Sequence, residues 1–152
     1  MDIDRLASRT KITAAIVAGF GALCALALIP TLSAPIAHLV DLLSWPMDGP
    51  TLLHDPEGRL VMAILAGALV GWGALIWLLS GEPMRASPGA VRRTVVLSVL
   101  VWFAVDSIGS LLAGAPLNVL SNAAFLAVLL APLFVGIGPV ASRPHGAISP
   151  GR

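Results

Sequence analysis

Residues 94–137 read TVVLSVLVWFAVDSIGSLLAGAPLNVLSNAAFLAVLLAPLFVGI. Two apolar runs, 94–112 and 117–137, meet at the short turn GAPLN, residues 114–118. Each run is about 20 residues long, the length a helix needs to cross a hydrocarbon core of roughly 30 Å. A turn this short makes the two helices antiparallel neighbours. Toward the amino terminus, two more runs of the same kind occupy 60–79 and 12–32. The reading is an all-α bundle of four transmembrane helices, a single membrane domain over 1–138, followed by a Pro-, Gly- and Ser-rich tail over 139–152 expected to be disordered.

Composition agrees. Hydrophobic residues make up 57% of the 152 residues and charged ones 11%, against roughly 45–50% and 25% in soluble domains. Mean hydropathy is +0.93. The net charge of +1 offers no basic surface to nucleic acid. The single cysteine, Cys24, has no intrachain disulfide partner. The heavy use of Arg over Lys, with much Ala, Gly and Pro, suggests a bacterial source.

The first run has a basic start and resembles a signal peptide in outline. Its length, and Pro30 and Pro35 around the only loose cleavage pattern, favour a retained span. The basic residues set the expected orientation, because Lys and Arg collect on the cytoplasmic side. Arg5, Arg9 and Lys11 precede the first span. Arg85, Arg92 and Arg93 lie between the second and third, and Arg143 and Arg152 follow the fourth. Four crossings put these eight on one side and leave Arg59 alone on the other, so both termini are expected in the cytoplasm of a bacterial cell with the chain in its inner membrane.

The outward loop, 33–59, opens with SAPIAHLVDLLSW. Ser33 suits an N-cap and Pro35 a first turn. His38, Asp41 and Trp45 share one face and Ile36, Leu39, Val40 and Leu43 cover much of the other, as in a short amphipathic helix on the membrane surface. Arg59 stands where the helix dipole disfavours a cation, so an anionic partner is expected: Asp41, Glu57 or a lipid phosphate, with Asp106 a weaker candidate because Arg59 would have to turn inward to reach it. His38, Asp41, His54, Asp55 and Glu57 have the side chains of a metal site but no ligand spacing, and a solvated acidic loop is the better reading.

Asp106 is the only ionisable residue inside a span. A carboxylate in hydrocarbon costs at least ~2.5 kcal/mol, so such residues face the bundle interior. Ser98, Trp102, Asp106 and Ser110 recur at four-residue steps and form one stripe of the third helix. Two readings stand: a proton, cation or ligand site, or a carboxyl that locks helix packing. Asn118 and Asn122 lie one turn apart on the fourth helix. Folding the hairpin about Ala115 sets Asn122 near Gly109 and Ser110, with Asp106 a turn deeper. The asparagines are then either interhelical hydrogen-bonding glue or, with Asp106 and Ser110, the lining of a polar pocket. On the second helix Ala63, Gly67 and Gly71 form a small-residue stripe. It suits close packing within the bundle or, less favoured, a homodimer face.

The segments DPEGRLVMAILAGALVGWGALIWLL and VWFAVDSIGSLLAGAPLNVLSN resemble those of small uncharacterised bacterial four-helix membrane proteins. The resemblance implies a four-helix bundle and no particular activity. No P-loop, nucleophile elbow or HExxH motif is present, and no span carries a haem-ligating histidine. The leading expectation is a non-enzymatic membrane protein without cofactor or metal. Its partners would be the lipid bilayer and either a partner membrane helix or a second copy. The alternative is a small transporter or carrier using Asp106.

Overall fold

A computed structural model describes residues 2–49 and 53–134. They are helical throughout, with no strand among them. The order is α1 (Ile3–Leu26), α2 (Ala34–Leu43), α3 (Pro56–Leu79), α4 (Glu82–Ala86), α5 (Pro88–Leu112) and α6 (Pro116–Phe134), with a single 3₁₀ turn at Pro30–Leu32 between α1 and α2. Four of these, α1, α3, α5 and α6, are long and apolar enough to cross a membrane. The chain therefore has the make-up of a multi-pass membrane protein. The tail expected over 139–152, and the last residues of the fourth run, lie outside the described residues.

Helix starts are set by local chemistry beyond the apolar runs. The Asp2 carboxylate caps α1 by accepting from the Asp4 N–H at 3.2 Å, so α1 begins nine residues before the run at Ile12. The Asp55 carboxylate caps α3 by accepting from Gly58 N–H at 2.7 Å, with Pro56 in the first turn. The first run does not continue as one helix to Leu32. It ends at Leu26, and Pro30 starts the tight turn that leads into α2. Ser33 stands at the N-cap position of α2, but its hydroxyl donates back to the Pro30 carbonyl at 2.9 Å and caps nothing.

Packing is uneven. α1 packs most extensively on α3, less on α6, and α5 packs on α6. α3 and α5 are not among the closely packed pairs, so the four long helices form an arc rather than a closed square. The α1–α3 contact is the closest in the bundle. A Cβ at Gly73 would lie 2.6 Å from the Ala18 nitrogen, and one at Gly21 would lie 2.8 Å from the Val70 nitrogen. The small-residue packing expected at Ala63, Gly67 and Gly71 is made instead by Gly73 and Gly21. Ala63, Gly67 and Gly71 are exposed, and a Cβ at either glycine would meet nothing within 4 Å. The stripe lies on the face of α3 turned away from α1.

α1 meets α6 through a buried bond, with the Thr13 hydroxyl donating to the Leu129 carbonyl at 2.9 Å. Pro132 lacks an N–H and interrupts the α6 ladder in that same stretch. The α5–α6 turn is a complete Schellman motif. Gly114 has φ +75°, its N–H donates to Leu111 and the Ala115 N–H to Ser110. Pro116 then opens α6.

The two ends of the bundle differ. At the end holding the start of α1, Lys11 sits over the Trp77 ring at 5.1 Å and Arg92 over Phe134 at 4.5 Å. Arg85 reaches Asp4 at 3.9 Å, an exposed pair of little energetic weight. At the other end Arg59 donates to the Leu28 carbonyl at 2.8 Å. Leu28 follows the end of α1, so the guanidinium satisfies a carbonyl that has left the helical ladder. No ion pair of Arg59 occurs among the described residues; its hydrogen-bond partner there is a carbonyl of the chain, not the expected carboxylate.

Candidate functional site: a side-opening cavity

The poor contact between α3 and α5 leaves a cavity of about 840 Å³ that runs from α2 down to Trp72 and Ser98. α2 roofs it with Ile36, Leu39, Val40 and Leu43, the apolar face read from the sequence. Phe20 and Cys24 of α1 form its back. Leu65 and Ala68 on α3, with Val101 and Val105 on α5, stand at its rim. Val101 and Val105 are 62% and 67% exposed. The mouth therefore opens sideways, between two membrane-length helices.

The far wall is polar in one patch. Asp106, half-buried on α5, faces the cavity together with Ser98, and Asn118, Ser121 and Asn122 join them from α6. Asn118 donates to the Ser110 hydroxyl at 2.7 Å and to Asp106 Oδ1 at 3.4 Å. The Ser110 hydroxyl donates to the Asp106 carbonyl at 2.7 Å and lies 3.4 Å from the same Oδ1. The close partner of Asp106 on α6 is thus Asn118, not Asn122. The Schellman turn centres the hairpin on Gly114 instead of Ala115, which brings Asn118 level with Ser110.

Asn122, a residue of the cavity wall, is 5% exposed, and among the described residues its Nδ2 has no hydrogen-bond partner. A buried donor left without a partner costs about 1–3 kcal/mol. The Ser107 hydroxyl is also buried without a partner but is off the cavity wall.

Aromatic rings line the depth of the site. Trp72 and Trp102 approach to 6.2 Å between ring centroids, Trp102 and Phe125 to 5.7 Å edge-on, and Phe125 and Phe20 to 5.6 Å. The chain of rings spans all four long helices. Trp102 was legible as part of the Asp106 stripe. Trp72, Phe20 and Phe125 were not, since nothing in their spacing links three helices.

Of the residues singled out from the sequence, Trp102, Asp106, Asn118 and Asn122 share this cavity, and Ser110 supports it from behind. The loop over 33–59 behaves differently. His38 and His54 are exposed, Asp41 accepts from the Gly49 N–H at 3.2 Å, and no group of three potential metal ligands occurs among the described residues. No protein-family model, curated protein or solved structure matches the chain.

Proposed function

We propose that this is a non-enzymatic membrane protein that takes a lipid or similar amphiphile through the gap between α3 and α5. One observation carries the reading: the cavity is apolar around its roof, back and rim, polar only along the α5–α6 wall, and open to the side rather than to the end of the bundle. A side opening between transmembrane helices faces hydrocarbon, and hydrocarbon supplies amphiphiles. A ligand seated there directs its head to Asp106, Asn118 and Asn122 and its chain out past Val101 and Val105.

In this reading the chain lies in a bacterial inner membrane with both termini cytoplasmic. α2 lies along the outer surface with the exposed Trp45 at headgroup level, as the eight-to-one division of basic residues supports. The outward stripe of Ala63, Gly67 and Gly71 is where a partner helix or a second copy would pack.

The test is lipid retention. Protein extracted in a mild detergent should carry amphiphile at close to one per chain by native mass spectrometry. Ala68→Phe, which fills the mouth, should lose most of it. Equal retention by the two would remove the proposal. The position of Asp106 on the cavity wall favours a second reading, a carrier that moves its ligand across the bilayer. Ligand flux into proteoliposomes that stops in Asp106→Asn separates carrier from binder; no flux in the wild type rejects the carrier.

A further inference from the structure

We propose that the ligand carries an ammonium head, held by the Asp106 carboxylate against the rings of Trp102 and Trp72. This rests on the cavity being a ligand site and adds the charge and kind of head that it selects.

The charge follows from what the wall contains. Among the described residues, Asp106 is the only acidic or basic side chain that lines the cavity. The ion pairs among the described residues, Arg5 with Asp2 and Arg85 with Asp4, involve the opposite end of the bundle. A carboxylate in an apolar enclosure without a counter-charge favours a cationic guest and repels an anionic one. Its protein partners, the Asn118 amide and the Ser110 hydroxyl, both address Oδ1 and both at 3.4 Å. No hydrogen bond to Oδ2 occurs among the described residues, so that oxygen is left for a ligand N–H.

The aromatic wall points the same way. Trp102 is one helical turn from Asp106 on the same face of α5, and Trp72 stands 6.2 Å from it. Ring faces attract a cation, indole most strongly, and they also accept the first methylenes of an alkyl chain. A carboxylate beside two indoles thus matches both halves of an alkylammonium.

Asn122 refines the head. Its carboxamide holds an acceptor oxygen and a donor, and the donor is buried and unpartnered. Once the amide turns into the cavity, a head with an oxygen close to its ammonium, of the aminoethanol kind, gives that donor an acceptor while its own N–H groups are shared with Asp106. The volume of about 840 Å³ exceeds such a head and leaves space for the start of the chain.

The probe is dodecylammonium, titrated into the full-length protein in maltoside detergent. The readout is fluorescence in a Trp45→Phe, Trp77→Phe background that leaves Trp72 and Trp102 as reporters. The expected result is saturable binding, at least tenfold tighter than that of dodecanol or dodecanoate. Asp106→Asn should weaken it at least tenfold and Asp106→Glu should restore most of it. Displacement by dioctanoyl phosphatidylethanolamine assigns the natural ligand to the bilayer; dodecylammonium binding without displacement assigns it to dissolved lipophilic amines. Both results support an ammonium site. Dodecanol binding as tightly as dodecylammonium overturns it, as does an unchanged affinity in a folded Asp106→Asn. The cavity reading survives either result if Ala68→Phe still abolishes binding. Failure of every probe to bind the wild type overturns both. Where Asp106→Asn does not fold, the comparison of the three dodecyl probes on wild type decides alone.

Discussion

At the scale of single residues, the hairpin turns on one asparagine. Asn118 reaches both Ser110 and Asp106 from the neighbouring helix, whereas Asn122 uses no protein partner for its donor. Side-chain hydrogen bonds between membrane helices average ~0.6 kcal/mol and reach about 1.7. Asp106→Ala and Asn118→Ala should therefore be non-additive in unfolding by at least ~0.5 kcal/mol, while Asp106→Ala and Asn122→Ala should add. A measured coupling confined to Asn122 would contradict this assignment. The stripe of Trp102, Asp106 and Ser110 was visible in the sequence because a helix repeats every 3.6 residues. The choice between Asn118 and Asn122 was not, because it depends on where the turn centres, and a shift of one residue there moves every facing pair.

Among elements, the α1–α3 contact is the most demanding. Gly73 and Gly21 each sit where a Cβ would strike the backbone of the other helix, and backbone yields less than a side-chain tip. Gly73→Ala should destabilise the protein by about 1–3 kcal/mol through overpacking. Gly67→Ala, with open space around it, should be neutral or stabilising by up to about 1 kcal/mol from helix propensity. Reversible unfolding in mixed detergent measures both, and the reverse ranking would place α3 the wrong way round. The long helices were legible because about 20 apolar residues are enough to cross a bilayer. Their true starts were not, since Asp2 and Asp55 caps extend α1 and α3 through polar residues that hydropathy does not score. Nor was the packing face of α3, because Ala63, Gly67 and Gly71 and the run through Gly73 look alike until α1 supplies Gly21. The short α4, Glu82–Ala86, carries no apolar period and escaped the reading for that reason.

For the whole molecule, the division of charge makes a prediction about orientation. Reporter fusions after residue 145 and within 82–90 should give a cytoplasmic signal, and a fusion near Gly49 an external one. An opposite result at any of the three points would break the four-crossing arrangement, and with it the proposal that α2 lies at the outer surface. The two stacked cations, Lys11 on Trp77 and Arg92 on Phe134, lie at the end expected in the cytoplasm. There an aromatic ring and a long basic side chain suit the interface together.

The gap between α3 and α5 does not run the full height of the bundle; its lining runs from α2 down to Trp72 and Ser98 and no farther toward the start of α5. Asp106 lies six residues before the end of α5 at Leu112, roughly 9 Å below it at 1.5 Å per residue. A guest whose head rests at that depth belongs to the leaflet next to α2. The protein would then be blind to half of the bilayer, and a vesicle carrying the same amphiphile on the wrong face would leave the site empty.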